Sequence, residues 1–113
     1  MTYEPRVGAA AVTAALLCLS LAAPPALGAG SVEEGRDLAQ RLCAACHAID
    51  RGERSPISGA PAFRRLEPQV DLDDLVDRLQ GGVLAGHPQM PAFVMKEHEA
   101  RSLVAYMRSL QGN

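Results

Sequence analysis

Five consecutive residues constrain this chain more than any others: Cys43-Ala44-Ala45-Cys46-His47. On a helical turn, residues i and i+3 project to the same face. Two thiols placed there can each add to one vinyl group of a single porphyrin, and the imidazole that follows can reach its iron. C-x-x-C-H is accordingly the attachment pattern of a c-type haem. A bare C-x-x-C also serves thiol redox chemistry or half of a zinc site. Zinc needs two further ligands. The histidines left over, His87 and His98, stand eleven apart, against the roughly three to five intervening residues of a zinc pair. A thioredoxin-like site needs a preceding strand in a βαβ pattern, and none is visible.

With 113 residues the chain holds one small domain. It is mildly acidic, with a net charge of −2, and no basic stripe suggests nucleic acid. Its apolar residues are unevenly spread. Between Val7 and Gly30 there is no charged residue. Arg6 precedes this stretch, Leu16, Leu17, Leu19 and Leu21 fill its middle, and Pro24-Pro25 breaks it ahead of Ala26-Leu27-Gly28-Ala29-Gly30. A basic start, an apolar centre and a small-residue end make a secretory signal peptide over residues 1–30. Cleavage can follow Gly28 or Gly30. The apolar run from Val7 to Ala23 is 17 residues, at the short end of a spanning helix, so a retained anchor is the alternative. Cys18 lies inside this run and reads as an apolar residue removed with it. About 83 residues remain from Ser31, and of the three cysteines only Cys43 and Cys46 stay. That is no disulfide scaffold. It fits haem attachment, which in bacteria takes place outside the cytoplasmic membrane.

In the remaining chain, 31–45 reads as a helix. Ser31 and Glu34 make a capping box, and Leu38, Leu42 and Ala45 an apolar stripe. Gly35 is out of place by propensity, which marks a close approach of another backbone or ring. Residues 48–68 carry five glycines and prolines and read as loop, with Phe63 and Leu66 as candidates for contact with a cofactor. A second helix spans 71–80, capped by Asp71 and stopped by Gly81-Gly82. Its acidic residues Asp71, Asp73, Asp74 and Asp77 are read as caps and a solvated face. The loop 86–93 holds His87 and Met90, the two usual second axial ligands of cytochrome haems. Met90, with Pro88 before it and Pro91 directly after, is the preferred ligand. A last helix spans 97–111, with Leu103, Val104, Met107 and Leu110 inside and Tyr106 at the border of the buried face. His98 and Met95 are read as surface and packing residues.

Taken together, these elements resemble the class I c-type cytochromes, small mono-haem electron carriers. The resemblance covers residues 31–113. It implies an all-α fold in which crossed N- and C-terminal helices, a middle helix and loops wrap one covalent haem c. Cys43 and Cys46 would form the thioethers, and His47 and Met90 the axial bonds. The helices would cross at Gly35 and Tyr106. Ala60-Pro61-Ala62-Phe63 is similar to the family's Gly-Pro-x-Leu, so Pro61 would offer its carbonyl to the proximal histidine. Arg64 or Arg65 would pair with the haem propionates or else belong to the solvated surface. The implied role is periplasmic electron transfer without catalysis of its own, as a free monomer or as the haem subunit of a dehydrogenase. The implied partners are redox proteins, a donor dehydrogenase and an acceptor oxidase or reductase, with no nucleic acid and no membrane once the signal is removed.

Overall fold

The computed structural model describes residues 1–5, 8, 22–23, 30–82 and 89–112. Among them are three α-helices and one short 3₁₀ turn, Phe63–Arg65, and no strand. Helix α1 is Val32–Leu42, α2 is Leu72–Gly81 and α3 is Glu97–Ser109. The fold is all-α, as the sequence pattern implies. The signal-peptide stretch falls largely outside the described residues, and Cys18 lies wholly outside them. No helix among the described residues is long and apolar enough to cross a membrane.

Each helix starts where side-chain chemistry satisfies its free N–H groups. Ser31 Oγ accepts from the Glu34 N–H at 3.1 Å. Asp71 Oδ1 accepts from the N–H groups of Asp73 and Asp74, at 2.8 and 3.4 Å. Glu99 accepts from the Lys96 N–H at 2.9 Å. Helix α2 ends at Gly82, whose φ of 71° is the left-handed conformation that favours glycine. Helix α1 stops at Leu42, three residues short of the expected 45. Beyond it the chain keeps one further turn, in which the His47 N–H bonds the Cys43 carbonyl at 2.9 Å.

Helices α1 and α3 pack across each other at Gly35. A Cβ on Gly35 would strike the Ser102 carbonyl and fall 2.8 Å from the Tyr106 Cβ. Gly30 sits equally tight against the backbone at Arg101 and Ser102. Ser102 is wholly buried and ties the middle of α3 to the start of α1. Its hydroxyl accepts from the Ser31 N–H at 3.1 Å and donates to Glu34 Oε2 at 2.6 Å. The expected capping box therefore closes through a third residue. Around this crossing Leu38, Ala39, Ala100, Leu103, Val104 and Met107 are buried, and Leu72, Leu75 and Leu79 bring α2 onto the same core. Each such leucine contributes about 1.5–3 kcal/mol by leaving water.

Tyr106 is buried, deeper than the border position its place in the stripe suggests. Its hydroxyl reaches the chain just beyond the C-x-x-C-H motif, facing the Ile49 carbonyl and Asp50 Oδ1 at 2.8 Å each. One proton serves both acceptors. Burial, and then the Asp50 carboxylate, push this phenol up to about 12.

Candidate functional site

A cavity of about 350 Å³ opens beside the end of α1, between α2, α3 and the two long connections. Cys43, Cys46, His47, Pro61, Phe63 and Met90 all line it. The remaining walls are mainly apolar, with Leu66, Leu75, Leu79, Leu103 and Met107 among them. His87 lies outside the described residues.

The two thiols are unpaired, Cys43 buried and Cys46 half-buried. The turn after α1 sets their spacing, because Cys43 closes the helix with its N–H on the Ala39 carbonyl at 2.9 Å. Burial, with the Cys46 sulfur adding to it, pushes the Cys43 thiol up to about 11. Among the described residues no group of three His, Cys, Asp or Glu side chains is placed to hold a metal ion.

His47 is fixed from one side. Its Nδ1 stands 2.7 Å from the Pro61 carbonyl oxygen. A carbonyl only accepts, so Nδ1 is the donor here and Nε2 is the ring nitrogen left outside this bond. Pro56, earlier in the same loop, is not among the residues of the cavity wall. Phe63 is buried, with its ring centroid 5.6 Å from that of His47. Its N–H bonds the Ala48 carbonyl at 2.9 Å, and its own carbonyl accepts from Gln111 at 2.6 Å. Residues 47–50 are thus held by the 61–63 segment on one side and by Tyr106 of α3 on the other.

The donor set suits a haem. Two thiols three apart, an imidazole with one nitrogen free and a thioether all open onto the same mainly apolar cavity. Residues 30–107 match the model of the family described as "Cytochrome C oxidase, cbb3-type, subunit III". The chain is also 32% identical, over 98 residues, to cytochrome c-552 of Bradyrhizobium diazoefficiens, an alignment covering 84% of this chain and 92% of that protein.

The chain belongs to the class I c-type cytochromes. It transfers electrons through a c-type haem, as the family does.

Three features of this cytochrome are not apparent from the motifs. Arg64 and Arg65 do not line the cavity: Arg64 donates to the Glu53 carbonyl at 2.8 Å, and both edge a separate open recess. The arginine that does line the cavity is Arg78 of α2. Gln111 ties the end of the chain to the 63–67 segment, accepting from the Glu67 N–H at 3.2 Å besides its bond to Phe63. The helical spacing that marks Leu75 and Leu79 as inward also puts Arg78 beside them, a signal present in the sequence. Nothing local announces Gln111.

Proposed function

We propose that this cytochrome is a periplasmic single-electron carrier whose iron is held by His47 and Met90. Cys43 and Cys46 anchor the porphyrin through two thioethers, Pro61 orients His47, and Phe63 packs against the imidazole. When bound, the haem supplies a one-electron iron couple. The protein's part is to fill both axial positions and to hold the site apolar. Methionine as second ligand and an apolar surround both favour the reduced state. The observation that carries this assignment is the pairing of His47 and Met90 on one cavity wall system, with His47 Nδ1 committed to Pro61 at 2.7 Å.

The test is an absorption spectrum of the exported protein beside Met90→Ala. The variant should lose the weak far-red band that a sulfur ligand gives ferric haem. In its reduced form it should bind carbon monoxide at neutral pH. An unchanged low-spin spectrum would transfer the axial role to His87.

Residues 1–30 are proposed to direct export, with cleavage after Gly28. Gly30 is packed against α3, with no room for a side chain, and the family match begins at residue 30. Both support keeping Gly30 in the folded domain. A second role is favoured by the matched family's description as an oxidase subunit: the cytochrome would then serve as the haem component of a larger respiratory enzyme. Co-purification from membranes in mild detergent would support it, and recovery of the monomer alone from the periplasm would support the free carrier.

A further inference from the structure

Among the described residues that line the cavity, Arg78 is the only Lys, Arg, Asp or Glu. It stands on α2 between Leu75 and Leu79, both buried. Its side chain is only 27% exposed, and Asp74, one turn back, approaches it at 4.0 Å from a largely solvent-facing position. Such an ion pair is well screened on the aspartate side, so it offsets only part of the guanidinium charge. A positive charge in an apolar wall is costly to place there, and α2 has exposed positions enough to carry one elsewhere.

We propose that Arg78 sets the reduction potential of the haem through its charge. The inference rests on the haem occupying this cavity. Reduction removes one positive charge from the iron centre, so a fixed positive charge in the wall favours the reduced form. Mainly apolar walls screen the interaction less than water does. A guanidinium stays protonated throughout the accessible pH range, so the bias is constant with pH. Asp74 has the opposite sign and lies farther toward solvent, so it opposes Arg78 weakly.

The experiment is a potentiometric titration of the haem-loaded wild type beside Arg78→Gln, Arg78→Lys and Asp74→Asn, with absorption spectra as a check on ligation. Arg78→Gln should shift the midpoint potential downward. Arg78→Lys should keep most of the wild-type value, and Asp74→Asn should shift it upward by a smaller amount. An unchanged potential in Arg78→Gln, or an equal fall in the Gln and Lys variants, would overturn the assignment to charge. Should Arg78→Gln fail to accumulate, Asp74→Asn decides alone, and an unchanged potential there counts against the proposal. A wild-type protein without covalently bound haem would overturn the functional reading itself, and the inference with it.

Discussion

The Cα of Gly35 and the backbone of Ser102 lie in direct contact, with no space between α1 and α3 for even a methyl group. The same Ser102 then spends its hydroxyl on the two residues that start α1, Ser31 and Glu34. Closeness and polarity are coupled here. Only a glycine lets the helices approach this far, and only at this distance does a short serine side chain reach both partners.

Gly35→Ala should therefore destabilise the haem-loaded protein by roughly 1–3 kcal/mol, since neither backbone can move aside cheaply. Ser102→Ala should cost a similar amount, about 1–3 kcal/mol, by leaving the part-buried Ser31 N–H without its acceptor. The two should not add, because they disturb one contact. Guanidinium denaturation followed by circular dichroism measures all three variants. A fully additive double variant would argue against a shared contact.

Tyr106 makes a pH prediction. Its proton is held to about 12 against an ordinary 10.0. The folded form therefore binds this proton more tightly than the unfolded form does. That stabilisation is complete below pH 10.0 and is lost as pH rises through about 12. Tyr3 is the other tyrosine of the chain, so carbon-13 labelling at the tyrosine ring in a Tyr3→Phe background reports Tyr106 alone. The resonance should stay that of the neutral phenol well above pH 10.0. Tyr106→Phe should lose about 1–3 kcal/mol at neutral pH and show a flatter alkaline loss of stability. Titration at the ordinary value would show that the hydroxyl is not held by Ile49 and Asp50.

Phe63 packs against His47 from inside the core. Phe63→Ala should cost roughly 3–5 kcal/mol. Phe63→Leu, which restores the aliphatic residue usual in the family, should cost clearly less. Thermal unfolding of the two variants checks the order, and equal losses would mean that volume at this site is unimportant.

The mature protein should begin at Ala29, leaving Gly30 in place against Ser102. Intact mass of the haem-loaded periplasmic protein reads this directly. A chain beginning at Ser31 would show that the helix crossing does without Gly30. A chain retaining residues 1–30 would show an anchor.

Much of this was legible in the sequence because it depends on local rules. Periodic leucines and capping residues placed three helices within a few residues of their ends. Gly35 stood out because a glycine inside a helix needs a reason. The end of α1 was misplaced because the motif's own turn keeps a helix-like bond from Cys43 to His47 without continuing the helix. Ser102 and Gln111 were not legible as structural residues. Apart from the bond of Gln111 to the Met107 carbonyl, both act through partners at least 44 residues away in the chain, and a polar residue on an amphipathic helix gives no sign of whether it faces solvent or a neighbouring element. Arg64 and Arg65 left two readings open, and their place beside a separate recess favours the surface one: proximity in sequence to Pro61 does not decide on which side of a loop a side chain emerges.

Attached to haem as proposed, Cys43 would set an order of assembly. In the folded chain its sulfur is shielded and held protonated to about 11, whereas bond-making at sulfur runs through the thiolate. A chain that folded ahead of its cofactor would bury one of its two proposed attachment points in an unreactive form. On the proposed reading, export of an extended chain and capture of the porphyrin before α1 closes on α3 would keep that sulfur available. Slow folding before capture would then favour maturation, and a variant engineered to fold quickly without haem should mature less completely.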